Sequence, residues 1–247
     1  MNPYRPGFST IPPVIKNLLL INGMMFAARY LFGLFQGVDL NELLGVYYFG
    51  GPQFEPFQLV SHMFMHGNLL HIGFNMLMLW FLGQNLEIYW GPQRFLAYYL
   101  ATGIGAVILY MGVQHLEVMS LINDLPVESV AEVKNNGRDV FLQGKNYVNA
   151  EMAKLNLQYN IPMVGASGAI YGILMAFGLL FPNQEIHLYF LIPIKAKYLV
   201  ASLGFLELYR GIQNNPADNV AHFAHLGGML FGYILIRYWN KNRKHFY

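Results

Sequence analysis

Six times the chain runs through a helix's length of apolar side chains and then breaks at Pro, Gly or charge, over residues 14–35, 69–89, 95–113, 167–181, 194–212 and 220–239. A bilayer core about 30 Å thick is crossed by about 20 apolar residues in helical form, so repeated units of this length point to a membrane as the solvent. Composition agrees: with 55% hydrophobic and only 11% charged residues, the chain has too little charge to coat a water-soluble particle. The expectation is an all-α polytopic membrane protein of six transmembrane helices. The fourth is short, because its 15 residues rise only about 22 Å. One of its ends therefore stops inside the membrane, beneath a cavity or loop.

Basic residues sort by loop. Arg5 and Lys16 precede the first span, Arg94 follows the second, Lys195 and Lys197 follow the fourth, and Arg237, Lys241, Arg243 and Lys244 end the chain. All fall on one side of a six-span arrangement, which the positive-inside rule makes cytoplasmic, together with both termini. The other side receives residues 37–57, with Asp39, Glu42 and Glu55, a short loop at 214–219, and the long polar segment 115–162. That segment has room for a surface helix and leads into the short fourth span, so it is placed to help roof a site there. The first span carries Asn22 and Arg29 and is followed by no small-residue cleavage site, so it is read as a retained helix. No repeat or linker divides the chain, which reads as one domain over 1–247, with a core at 14–239 and an insertion at 115–162. A net charge of +2 without a basic patch excludes nucleic acid as a partner. The absence of cysteine excludes disulfides, thiolate catalysis and thiolate zinc sites.

The chemistry concentrates at three places. Gly165-Ala166-Ser167-Gly168 opens the fourth helix, which puts Ser167 among the unpaired N–H groups and positive dipole end of a helix N-terminus, where an oxyanion is favoured. The same tetrapeptide also fits a small-residue packing contact with a capping serine. Gly168, Gly172 and Ala176 recur every four residues and make a smooth stripe; the sixth helix carries Gly228 and Gly232 with the same spacing. Docking these two stripes brings His225, one turn before Gly228, towards Ser167, and so sets a base beside a nucleophile. By itself, His225 also reads as a buried histidine bonded between helices. No Asp or Glu is recognised near His225, so the expectation is a dyad, with Tyr171 packed under the imidazole. In the second helix His71 and Asn75 share one face, and polar groups at membrane depth are candidates for function. Both can donate to an oxyanion, and Asn75 equally suits an interhelical hydrogen bond. His62 and His66 read as bracing residues beneath the first outer loop.

These motifs together, His71-xxx-Asn75, Gly165-Ala166-Ser167-Gly168 and His222-xx-His225-xx-Gly228-xxx-Gly232, resemble those of the rhomboid intramembrane proteases over residues 14–239. The resemblance implies a rhomboid-like six-helix bundle with Ser167 as nucleophile, His225 as base and His222 as a bystander. It further implies His71 and Asn75 as oxyanion donors, Tyr171 beneath the imidazole, and no cofactor or metal. Implied substrates are transmembrane helices that unwind near a small residue and reach the site past the fifth helix, under the 213–219 loop. A bacterial inner membrane is the expected location. Two features depart from the family pattern. The 37–57 loop has Tyr47-Tyr48-Phe49 but no Trp or Arg, and the 115–162 insertion has no counterpart.

Three rival readings follow from the same residues. A catalytically silent relative that escorts membrane helices would keep the fold without the chemistry, although such relatives usually lack the serine or the histidine. A metal site gathered from His62, His66, His71, His222 and His225 lacks the His-Glu-x-x-His pattern and its carboxylate base. A transporter would show inverted repeats or paired broken helices, and none is found.

Overall fold

The computed structural model describes residues 11–188, 192–213 and 221–242. Arg5, Arg243 and Lys244, and the loop at 214–219, lie outside the described residues. The chain is predominantly helical: α1 (Pro13–Gln36), α2 (Leu40–Leu44), α3 (Gln58–Ser61) with a 3-10 turn at His62–Phe64, α4 (Leu69–Trp90), α5 (Pro92–Asp124), α6 (Val127–Leu142), α7 (Ala150–Asn160), α8 (Ser167–Leu180), α9 (Ala196–Gln213) and α10 (His222–Asn242). An antiparallel hairpin, β1 (Glu185–Leu188) and β2 (Ile192–Lys195), links α8 to α9. The hairpin is a departure from the purely helical reading. It takes up Ile194 and Lys195, which the apolar pattern assigns to the start of the fifth span, and α9 begins at Ala196.

Several helices carry recognisable boundary signals. Proline stands near the start of α1 and of α5, where a missing N–H costs nothing, and Gly37 ends α1 in the left-handed region. Asn68 caps α4 by accepting from the His71 N–H. The N-terminus of α1 has no side-chain cap of its own. The Glu87 carboxylate from α4 supplies one, accepting from the Val14 and Ile15 N–H groups at 2.9 Å each and placing negative charge at the positive end of the helix.

Among the described residues α1 and α5 are each long and apolar enough to cross a membrane unaided, and α8 is apolar but only 14 residues long. Polar side chains dilute the others: His71, Asn75 and Glu87 in α4, Glu207 and Arg210 in α9, His222 and His225 in α10. α8 is buried almost all round, with α4, α5, α9 and α10 packed about it. A helix apolar on every face needs just such a central position.

α5 is longer than the apolar stretch at 95–113. Its 33 residues rise about 50 Å, carrying it well past the hydrocarbon into the polar segment. On this projecting end α6 and α7 pack through Val118, Val133, Leu155 and Tyr159, joined by Tyr48 of the outer loop. The 115–162 segment is thus three helical pieces instead of one surface helix. The loop at 37–57, lacking an arginine of its own, receives two from other elements. Arg29 of α1 grips Asp39 with both arms of its fork (2.8 and 2.9 Å) and donates to the His66 and Gly67 carbonyls. Arg138 of α6 pairs with Glu42 at 2.9 Å and lies over the Tyr47 ring.

Candidate active site

Ser167 is the first residue of α8, and the local backbone aims it. Gly165 has φ +128, a conformation that L side chains rarely adopt, and a Cβ there would stand 2.8 Å from the His71 ring. Its N–H donates to the His62 carbonyl at 2.9 Å, and Met163 pairs with Val46 of the outer loop in a short β-bridge. The strand leading into α8 is therefore pinned on both sides before it turns. The residue flanking the helix is Ala166, and no side chain caps it. Ser167 is not a capping serine; its Oγ instead lies 2.8 Å from His225 Nε2. The Tyr171 ring stacks on the His225 imidazole, centroids 4.2 Å apart and planes 9° from parallel.

Small residues make this approach possible, in a way richer than two facing stripes. A Cβ on Gly228 would fall on the Gly168 carbonyl oxygen, and one on Gly232 would sit 3.2 Å from the Gly172 carbonyl oxygen. Tyr98 of α5 donates to that same carbonyl at 2.8 Å. The missing side chains of Gly168 and Gly172 themselves face α5, at Ala106 and Thr102. So α5, α8 and α10 meet along one seam, where the expectation had been a direct pairing of glycine stripes on α8 and α10 alone. The run Thr102-Gly103-Ile104-Gly105-Ala106 was the sequence signal for this third partner.

The expectation that no acid stands near His225 is overturned. Glu207, on α9, is buried and points into the site. It accepts from the Tyr171 hydroxyl and from His222 Nδ1, the latter at 2.6 Å. Its Oε2 is also 3.0 Å from His225 Nδ1, an ion-pair distance, though the approach is oblique and falls short of a straight hydrogen bond. His222, read as a bystander, is thereby tied to the same carboxylate. Glu207 sits 18 residues before His225 on a stretch read only as an apolar span. Its signal was that of a lone carboxylate at membrane depth.

Ser167, His71, Asn75, Tyr171 and His225 line one cavity of about 1090 Å³. Asn75 is buried, and its Nδ2 has no partner among the described residues, leaving a free donor. The cavity extends outward to Phe141 of α6 and to Leu157, Gln158 and Ile161 at the end of α7. The insertion therefore bounds its mouth. His62 lines the same cavity, and His66 is buried beside the His71 ring. Burial holds His62 down at about 4, and burial with His71 nearby holds His66 at about 4. Among the described residues Glu207, His222 and His225 each offer a ligand atom within 4.8 Å of one another, the one grouping suited to a cation. It shares only His222 and His225 with the five-histidine cluster considered from sequence, and each of its ligand atoms already faces another member of the trio.

The family model described as Rhomboid domain matches residues 53–241. The chain belongs to the rhomboid family. It is 27% identical over 186 residues to RHOMBOID-like protein 12, mitochondrial, of Arabidopsis thaliana, covering 75% of this chain and 46% of that protein. It is 24% identical over 183 residues to Rhomboid protein 1, mitochondrial, of Saccharomyces cerevisiae, covering 74% of this chain and 42% of the relative. Rhomboid-like protein 16, chloroplastic, of Arabidopsis thaliana is 24% identical over 188 residues, 75% of this chain and 49% of that protein. The chain thus spans less than half the length of these curated relatives. Family and hydropathy together make it an integral membrane protein. The names of the relatives place them in mitochondria and chloroplasts, at odds with the expected bacterial inner membrane.

Proposed function

We propose that this rhomboid is an intramembrane serine endopeptidase that hydrolyses peptide bonds in or near the transmembrane helices of other membrane proteins. The observation that carries the reading is the 2.8 Å contact between Ser167 Oγ and His225 Nε2, at the floor of a cavity that opens past the insertion. A serine hydroxyl is a poor nucleophile until a base takes its proton. The imidazole takes it as Oγ attacks the scissile carbonyl, then gives it to the leaving amine, and water releases the acyl group. Charge that develops on the carbonyl oxygen is met by the first N–H groups of α8 and by the free amide of Asn75, with His71 beside Gly165 as a further donor. One such donor is worth about 3 kcal/mol of transition-state stabilisation. No cofactor enters these steps.

In this reading α1, α4, α5, α8, α9 and α10 are the six spans of one membrane domain. The site opens to the non-cytoplasmic side, and both termini are cytoplasmic. The membrane is a bacterial inner membrane or an organellar one. Substrate helices reach the cavity past α9. An apolar cleft of about 470 Å³ between α8, α9 and α10, lined by Met175, Gly178, Val200, Gly204 and Met229, supports that route. The insertion influences which substrates are accepted.

Purified protein is expected to cleave a test transmembrane substrate, and Ser167→Ala and His225→Ala should each abolish turnover. A serine-hydrolase probe should label Ser167 in the wild-type protein. Cleavage that persists in Ser167→Ala would sink the nucleophile assignment. Substrate binding without any cleavage by the wild type would point instead to a silent relative that escorts membrane helices.

A further inference from the structure

We infer that Glu207 is a positioning residue of the catalytic apparatus, a third member that fixes the tautomer and direction of the His225 imidazole. The inference rests on the protease reading and deepens it.

Three observations lead there. The first is the cost of the residue. α9 buries otherwise only Ala196, Leu199, Val200 and Gly211, and turns large apolar side chains such as Phe205 and Ile212 outward. A carboxylate on such a helix is expensive at membrane depth and persists where partners compensate it. The second is where those partners are. The carboxylate meets Tyr171, His222 and His225; of these His225 stands at the Ser167 hydroxyl, and Tyr171 stacks on its ring. The third is which atom it meets. It approaches Nδ1 of His225, the ring nitrogen opposite the one that faces Ser167.

The consequence is chemical. A carboxylate only accepts hydrogen bonds, so its approach at 3.0 Å favours the tautomer in which Nδ1 of His225 carries the hydrogen. In a neutral imidazole the other nitrogen then presents its lone pair, and that nitrogen is Nε2, 2.8 Å from Ser167 Oγ. This is the tautomer a general base requires. During attack the Oγ–C bond forms while the serine proton moves to Nε2. The C–N bond then breaks as the same proton passes to the leaving nitrogen. The Nδ1 hydrogen stays in place throughout, and Glu207 gains no proton; it holds the ring and offsets the transient positive charge. His222 and the Tyr171 hydroxyl hold the carboxylate in turn. The oblique approach to Nδ1 fits a resting state that straightens when the imidazole becomes charged, since such contacts tighten along the reaction.

The test uses the full chain in detergent or liposomes. Glu207→Gln, nearly the same in shape, is expected to lower kcat by about 100-fold or more while KM stays within about twofold, as loss of an orienting carboxylate does elsewhere. In ¹⁵N-histidine-labelled protein the wild-type His225 resonances should show a protonated Nδ1 and an unprotonated Nε2. Glu207→Gln should shift that balance. An unchanged kcat in Glu207→Gln would overturn the inference while leaving the protease reading intact, with Ser167→Ala inactive as its separate control. A fall in kcat with an unchanged tautomer, the mark of a merely structural role, overturns it too. Should the variant fail to fold, or the wild type fail to cleave, the wild-type resonances still decide: an unprotonated Nδ1 on His225 removes the proposal.

Discussion

Of the helices packed about α8, α10 and α9 meet it by opposite means. Against α10 the contact is backbone on backbone: Gly228 sits so close to the Gly168 carbonyl that no side chain fits between them. Against α9 it is side chain on side chain. Gly178 receives Val200 at one end, the Tyr171 hydroxyl reaches Glu207 towards the other, and an apolar cleft lies beside them. In lipid there is little hydrophobic drive between helices, so close packing and interhelical hydrogen bonds decide what holds. The first seam is rigid because any separation loses many contacts at once. The second depends on a few groups and can open without breaking the first. Ser167 and His225 sit on the two helices of the rigid seam, and Glu207 sits on the helix of the adjustable one.

The most damaging break of this contrast is Gly228→Ala. Its new methyl meets a backbone carbonyl that has nowhere to go, so α10 must move, and His225 moves with it. Overpacking of this kind costs about 1–3 kcal/mol in stability. A shift that separates Ser167 from His225 is expected to lower kcat/KM by about 100-fold or more, which corresponds to about 2.7 kcal/mol of transition-state stabilisation. A cleavage assay run beside thermal unfolding separates the two effects. Wild-type activity in Gly228→Ala would mean that the seam tolerates separation and that the rigid half of the contrast is mistaken.

A second prediction concerns the turn that holds the entrance to α8. His62 and His66 have folded values near 4, below the ordinary histidine value of about 6.5 expected in the unfolded chain. Between these values the unfolded chain binds the protons and the folded protein does not. Stability is thus full above about pH 6.5, falls as the pH drops towards 4, and levels off below it. At pH 5.5 each histidine should have cost about 1 kcal/mol. Both sit outside the helical seams, so His62→Gln should flatten the fall in Tm between pH 6.5 and 4.5 without altering the Gly228→Ala penalty. An unchanged pH slope in that variant would show that burial of His62 is not its source.

How much of this could be read from the sequence depends on the range of the signal. Helix ends were legible to within a few residues where Pro, Gly or Asn punctuates them, as at Pro13, Gln36 and Leu69. The helix start at Ser167 and the placement of His225 one turn before Gly228 were legible because three- and four-residue spacings on a helix share a face. The partner of the α8 glycines was not. Spacing says that a face is smooth but not what docks on it, and here Ala106 and Thr102 of α5 do so. Glu207 was missed for a related reason: its register on α9 and the rotation of α9 about α8 are tertiary facts. The projecting end of α5 was hidden because its polar residues, from His115 onward, stop looking like a span while still making a helix. Nor does the sequence show that the acids of the 37–57 loop pair with arginines from two helices, Arg29 with Asp39 and Arg138 with Glu42.

Tyr171→Phe sharpens the adjustable side. The ring remains to stack on His225, and only the hydroxyl that reaches Glu207 is lost. One hydrogen bond to a charged group is worth about 1.5 kcal/mol or somewhat more in full, and His222 still holds the carboxylate. A three- to tenfold fall in kcat is expected, about 1 kcal/mol, with KM little changed. Tyr171→Leu, which removes the stack as well, should fall further. Equal losses in the two variants would assign the whole effect to the hydroxyl and none to the stacked ring.

The mildest variant makes the same chemical change on α9, where the new methyl faces a side chain of α10 beside the apolar cleft. Gly204 lies on α9 beside the apolar cleft, and a Cβ there would meet the Met229 Cε at 3.1 Å and Sδ at 3.5 Å. These are the far atoms of a flexible, unbranched side chain that can turn aside into the cleft. Gly204→Ala should therefore leave kcat/KM within about twofold. Replacing a helical glycine by alanine is also worth up to about 1 kcal/mol in propensity, so Tm should stay level or rise slightly. Gly228→Ala adds an identical methyl group and is expected to be at least an order of magnitude worse, since it meets backbone where Gly204 meets a movable side chain. If the two substitutions prove equally harmful in the same assay, α9 is packed as rigidly as α10, and substrate access past it would need another route.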